Sequence, residues 1–130
     1  MTSATPKSVA SGFFEDVSAG RSAEAWARLS PELVYDVIGP APFGGQVDRE
    51  GLGRIYGLVM SYLATPLTLK VNSMIAEGER VAIEAESAAM GKSGKPYRNR
   101  YHFLFVVRDG LIVEGREYFD SAHLMDVANL

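Results

Sequence analysis

Glu117, Tyr101 and Asn99 are the residues whose types and spacing best suit moving a proton. Tyr101 and Asn99 lie in a segment, residues 97–107, that alternates with period two. One face carries Tyr97, Asn99, Tyr101, Phe103, Phe105 and Val107; the other carries Arg98, Arg100, His102, Leu104, Val106 and Arg108. The first is the more apolar and should line the interior. A phenol and an amide there could orient a carbonyl or a water. The alternative is a tyrosine with its hydroxyl at a pocket rim and an asparagine near a strand end. Arg108-Asp109-Gly110 reads as a three-residue hairpin loop with glycine at its left-handed position, pairing Val107 with Leu111. Counting back sets Tyr101 opposite Glu117, on one face with Phe119. A lone carboxylate on an apolar wall is costly to ionise, so its pKa should rise, the condition for a general acid near neutral pH. The alternative is a structural glutamate hydrogen-bonded to Tyr101.

Glu84 and Glu86 also lie two apart on one strand face. Alternation sends Val81, Ile83 and Ala85 inward and both glutamates to solvent. Met90-Gly-Lys-Ser-Gly94 imitates a phosphate loop, but Glu86 stands where that motif needs its first glycine, and a hairpin tip is the wrong context. Lys92, Lys95, Arg98 and Arg100 read as a solvated strand edge. His102 points away from the interior face, and His123 reads as an exposed residue of the C-terminal segment. Asp36 and Asp120 fall on the wrong parity for the site.

The elements that must position these groups are legible in outline. Thr5-Pro6 caps a first helix with an apolar stripe at Val9, Phe13 and Val17, ended by Gly20. Ser22 caps a short second helix carrying Trp26 and Leu29, which Ser30-Pro31 stops. Residues 33–38 read as a strand and residues 39–45 as a loop. Asp48 caps a third helix whose stripe is Leu52, Ile55, Tyr56, Val59 and Leu63. Four strands joined by short connections follow, then a helical turn over residues 121–127. Short connections imply antiparallel pairing. The expectation is an α+β fold, one domain over residues 1–130, with a curved antiparallel sheet packed on three helices around a pocket.

Composition narrows the function classes. The chain has 130 residues, 47% hydrophobic and 22% charged, with a net charge of -3. That acidic balance argues against nucleic acid. The absence of cysteine excludes disulfides and thiolate chemistry, and two histidines make a histidine zinc site a poor fit, so no metal is expected. No apolar run is long enough to span a membrane, and the N-terminal stretch has no signal-like apolar region. A cytoplasmic location is the default expectation.

The stretch Tyr97-Arg-Asn-Arg-Tyr-His-Phe-Leu-Phe-Val-Val-Arg-Asp-Gly110, with Arg116-Glu-Tyr-Phe-Asp120, resembles the SnoaL-like proteins. These belong to the superfamily of nuclear transport factor 2, ketosteroid isomerase and limonene epoxide hydrolase. The resemblance implies a cone-shaped fold, a deep pocket for a mostly apolar small molecule and frequent dimerisation through the sheet. Relatives of the epoxide hydrolase and phenazine-biosynthesis types keep a catalytic acid at the position of Glu117. An ungapped match to the epoxide hydrolase pattern turns Glu84 and Glu86 into the pocket, against the alternation, and matches a family tyrosine to Tyr35. That family's arginine is Glu84 here and its water-binding asparagine is Val37, so the epoxide-opening apparatus is incomplete. With the glutamates inward, the outer face would carry Val81, Ile83, Leu104 and Val106, too apolar for water, and a homodimer through it is expected.

Three functions compete. The first is a small-molecule enzyme working by acid–base catalysis without a cofactor, as an isomerase, cyclase, dehydratase or hydrolase on an apolar oxygenated substrate. Glu117, Tyr101, Asn99 and Glu86 would be its catalytic set. Glu84, Tyr35, Val59, Leu63, Phe103 and Phe119 would contact substrate. The second is a domain that binds an apolar ligand without chemistry, and the third a scaffold whose dimer interface is its purpose.

Overall fold

The structure is a computed structural model and describes residues 4–130. Helix α1 spans Pro6–Ser18, and the Thr5 hydroxyl accepts the Ser8 N–H at 3.1 Å as its cap. Its inner face buries Val9, Ala10, Phe13 and Phe14. Helix α2, Ser22–Ala27, has Arg21 and not Ser22 at its cap position, with no side-chain capping bond. Its anchor is electrostatic instead. The Asp16 carboxylate accepts Arg21 Nε and Arg28 Nε, each at 2.9 Å, which ties α1 to both ends of α2. Bonding to Arg28 first, then Arg21, holds the Asp16 carboxyl below its usual range.

Strand β1 runs over Leu29–Ile38, starting four residues before the expected strand and passing through Pro31. A short strand β2, Gly45–Val47, follows the loop. Helix α3, Arg49–Ser61, begins as expected, with the Asp48 carboxylate accepting the Gly51 N–H at 2.8 Å. The remaining elements are β3 (Thr68–Glu77), β4 (Arg80–Met90), β5 (Pro96–Tyr97), β6 (Arg100–Arg108), β7 (Leu111–Phe119) and α4 (Ser121–Ala128). The segment expected as one strand over residues 97–107 is thus broken at Arg98 and Asn99. The fold is α+β, a curved open sheet with four helices among the described residues rather than three. None of these helices is long and apolar enough to cross a membrane.

The sheet order is β2-β1-β7-β6-β4-β3, with β5 paired to β4. All pairs are antiparallel except β1 with β7, which is parallel. Parallel neighbours need a long crossover, and everything between β1 and β7 supplies it. Short connections reveal only the hairpins, so this pair had no signature in the local sequence.

The β6–β7 register decides what reaches the interior. The turn has two residues, Asp109 (φ 52°) and Gly110 (φ 78°), so Arg108 pairs with Leu111. Positive φ at both central residues is the hairpin geometry that Asp-Gly favours. That turn alone would set Glu117 opposite His102, on the outer face. A bulge intervenes: Val107 pairs with Ile112 and Val106 with Glu114, leaving Val113 as an extra residue. Glu117 therefore lies opposite Phe103, and Tyr101 opposite Phe119. The expected Tyr101–Glu117 pairing is corrected by two residues, and the face is unchanged because two is the side-chain period.

Phe13 and Phe14 of α1 pack on Phe103 and Phe105 of β6, with ring centroids 4.9–5.9 Å apart. Val81 and Ile83 are fully buried in this core. They do not lie on the outer face, which corrects the expected interface. The outer face carries Leu104 and Val106, partly buried, beside exposed Val34, Ile38 and Tyr118. A second cluster, with Phe43, Leu63, Tyr97, Leu124 and Val127, sits where α4 closes on β5.

Deletion of Val113 should turn the outer half of β7 over, moving Glu117 and Phe119 to the outer face. The expected loss is about 3 kcal/mol or more in a denaturant titration, or no cooperative fold at all. An unchanged unfolding midpoint would show that the bulge does not fix the register.

Candidate functional site

Glu117 enters the interior between Val37 of β1 and Phe103 of β6, its pairing partners on either side. It is only 6% exposed. Two phenols reach its Oε1: Tyr35 donates at 2.8 Å and Tyr56 at 3.1 Å. Tyr35 comes from β1, two residues before Val37, and its partner across the strands is Gly115. A Cβ at Gly115 would overlap the Tyr35 ring. Glycine there lets the ring lie flat on the sheet and aim its hydroxyl at the next inward residue of β7. Tyr56 comes from α3, where Trp26 meets its ring edge to face at 5.9 Å.

Both of these phenol bonds go to Oε1, and among the described residues Oε2 of Glu117 has no hydrogen-bond partner. Among the described residues no fully buried side-chain oxygen lacks a partner, so Oε2 is the oxygen left open to the pocket. Burial pushes the Glu117 carboxyl up to about 7, against the opposing pull of the Tyr35 and Tyr56 hydrogen bonds. Burial and the neighbouring Glu117 charge push both phenols well above the ordinary tyrosine range, so they stay donors. The arrangement is one oxygen clamped by two fixed donors and one oxygen free to take or give a proton near neutral pH.

The pocket over Glu117 lies between the sheet and α3. Val37, Tyr97, Tyr101, Phe103 and Phe119 line it from the sheet, Ile55, Tyr56, Val59 and Met60 from α3, and Leu124 from α4. Its cavity volume is about 40 Å³, room for about one or two waters. A ring-sized ligand would have to push apart the rim, where Met60 is 40% exposed and its unbranched side chain adapts easily.

Of the expected site residues, Glu117, Tyr101, Val59, Phe103 and Phe119 line this pocket, and Tyr35 lies behind it, bonded to Glu117. Tyr101 is not hydrogen-bonded to Glu117; its hydroxyl donates to Ser87 Oγ at 3.0 Å. Asn99 lines no part of the pocket. Its amide is fully occupied by Tyr97, Arg100 N–H and both backbone groups of Asp120. Leu63 belongs to the second cluster. Glu84 and Glu86 face outward: Glu84 accepts from the Ser73 hydroxyl, and Glu86 lies 3.9 Å from Lys70 Nζ. The alternation of β4 holds, and the ungapped match that turned them inward fails. Tyr56 was missed because it sits in the apolar stripe of α3 and reads as core. The available signal was its type, the one side chain of that stripe with a polar tip. No three His, Asp or Glu side chains group as metal ligands among the described residues.

The raised Glu117 pKa has a thermodynamic sign. Between about pH 4.5 and pH 7 the folded chain keeps a proton that the unfolded chain gives up, so stability falls as pH rises and levels above about 7. The whole fall is roughly 3 kcal/mol. Glu117→Gln keeps the two phenol bonds and removes the ionisation. Thermal melts of both proteins from pH 5 to pH 8 should show the wild type losing stability relative to the variant. Parallel curves would show that Glu117 ionises freely.

The fold and the sequence can now be set beside known proteins. Residues 10–115 match the SnoaL-like domain family; the match ends two residues before Glu117. No curated protein matches the chain significantly in sequence. Among solved structures, the chain is similar to an NTF2-like protein of unknown function from Burkholderia pseudomallei, with a TM-score of 0.85 at 16% identity, covering 96% of this chain and 98% of that one. It is similar to IdmH, a proposed polyketide cyclase from Streptomyces antibioticus, with a TM-score of 0.80 at 21% identity over 97% and 99% of the two chains. It is also similar to TerC, co-crystallised with polyporic acid, with a TM-score of 0.83 at 14% identity over 97% and 100%. The element order, the curved sheet and the family match agree: the chain belongs to the SnoaL-like domain family and has the NTF2-like fold.

Proposed function

We propose that the chain is an acid–base enzyme of the cyclase or isomerase type, working on a small, apolar, oxygenated molecule with Glu117 as its proton carrier. The carrying observation is the divided carboxyl group: Oε1 held by Tyr35 and Tyr56, Oε2 open to an apolar pocket, and a pKa pushed up to about 7. The likeness to a proposed polyketide cyclase supports this class of substrate. In the ionised form Oε2 would take a proton from a carbon beside a substrate carbonyl. The C–H bond breaks and its electron pair moves into an enolate. The resulting acid then returns the proton, to another carbon in an isomerisation, or to the alkoxide left when the enolate closes a ring on a second carbonyl. Tyr35 and Tyr56 stabilise the carboxylate at each turn and do not themselves transfer the proton. A binding domain without chemistry is the second reading, favoured by the two fixed bonds that already satisfy Oε1.

2-Tetralone is a suitable probe, a compact ketone with acidic protons beside its carbonyl. Its hydrogen–deuterium exchange in heavy water, followed by proton NMR, should be accelerated by the protein. The rate should rise with pH through about 7, as the carboxylate forms. Glu117→Gln should lower the catalysed rate about a hundredfold or more. Binding of 2-tetralone without exchange would favour the second reading.

The proposal extends to assembly. The outer sheet face, with Val34, Ile38, Leu104, Val106 and Tyr118, is apolar enough to pair with a second copy of the chain. Light scattering at micromolar concentration should give twice the 14.1 kDa chain mass. The mass of one chain would overturn the dimer.

A further inference from the structure

The pocket is lined by two further phenols that proton transfer at Glu117 does not use. Tyr97 and Tyr101 both line it. Their hydroxyls lie 3.0 Å apart, and Tyr101 continues to Ser87 Oγ at 3.0 Å. Asn99 feeds both ends of this row. Its Nδ2 donates to Tyr97 Oη at 3.1 Å, and its backbone N–H donates to Ser87 Oγ at 3.2 Å.

The direction of the row follows from counting protons. The Asn99 amide cannot flip, because Oδ1 accepts the Arg100 and Asp120 N–H groups, each at 2.9 Å. Nδ2 therefore faces Tyr97 as a donor. Tyr101 has one proton and gives it to Ser87. The Tyr97–Tyr101 contact must then use the proton of Tyr97. Each phenol oxygen has now accepted one bond and donated one. What remains on each is a lone pair, with no proton left for a ligand. Burial raises both phenols above the ordinary tyrosine range, which keeps these protons in place.

We propose that the Tyr97–Tyr101 pair is a substrate anchor that accepts a hydrogen bond from a hydroxyl group. The substrate is then an apolar carbonyl compound with a free hydroxyl at a distance from its reacting carbon. The wall selects a hydroxyl over an ether or a second carbonyl, because those bring another acceptor to a wall of acceptors. Ser87, Asn99 and the broken strand between β5 and β6 set the direction of the row, and act through the two phenols as positioning residues.

This inference rests on the proton-transfer reading for its pocket, and the test separates the two. Dissociation constants of 2-tetralone, 6-hydroxy-2-tetralone and 6-methoxy-2-tetralone are measured by titration calorimetry. The wild type should bind the hydroxy compound about three- to tenfold more tightly than the parent, the range of one net hydrogen bond. The methoxy compound should gain nothing. Tyr97→Phe and Tyr101→Phe, checked for folding by thermal melting, should narrow the hydroxy-over-methoxy preference. Glu117→Gln should keep that preference while losing exchange. Methoxy binding as tight as hydroxy binding to the wild type overturns the anchor, and this comparison needs no variant. So does a preference that survives both phenylalanine variants, or one that disappears in Glu117→Gln. If 2-tetralone binds but never exchanges, the proton-transfer reading fails while a hydroxy preference still supports the anchor. If none of the three binds, both fall.

Discussion

A carboxyl group set between Val37 and Phe103, with its back to an aromatic core, ionises only at the expense of the fold. Everything around Glu117 either enforces that burial or relieves part of it. The sheet enforces it, because Glu117 is on the inner parity of β7 and cannot turn out without reversing its neighbours. Tyr35 and Tyr56 relieve it, each donating to the same oxygen. Two neutral donors lower the penalty without cancelling it, whereas an arginine in their place would hold the group ionised far below neutral pH. The balance leaves a proton that is neither locked on nor lost.

That balance draws on parts of the chain far apart in sequence. Tyr35 is separated from Glu117 by 82 residues and Tyr56 by 61. The parallel pairing of β1 with β7 brings Tyr35 alongside, and Gly115 lets it lie close enough to reach. Tyr56 depends on α3 crossing the sheet at the right height, with Trp26 braced against its ring. The Asp16–Arg28 pair is tied to the same strand, because the Arg28 carbonyl accepts the N–H of Ile112 at the start of β7.

How much of this could be read in the sequence depends on the range of the interaction. Period-two alternation set the face of Phe103 and, against the competing family match, of Glu84 and Glu86, whereas Glu117 came out on the right face because the assumed three-residue loop and the unseen bulge offset one another. Caps at Thr5 and Asp48 placed two helices, because a cap is a local bond between residues three apart. The partner of Glu117 was out of reach. A count along one hairpin assumed a three-residue loop and could not see the bulge at Val113, so it chose Tyr101. Tyr35 entered only through the family resemblance, and Tyr56 was hidden in a stripe that also serves the core. Asn99 has the right parity for the interior and the wrong job for a catalytic residue, since the break after β5 surrounds its amide with backbone groups.

Asn99 also joins one wall of the pocket to the row of hydroxyls beside it. Its side chain holds both the N–H and the carbonyl of Asp120, the residue that caps α4. Leu124 of that helix forms part of the pocket wall, and His123 stacks on the Tyr97 ring at 5.5 Å. A swing of α4 wide enough to break the Asp120 bonds therefore frees the Asn99 amide, and with it the orientation of Tyr97. The packing of α4 on the sheet and the direction of the hydroxyl row thus rest on one amide.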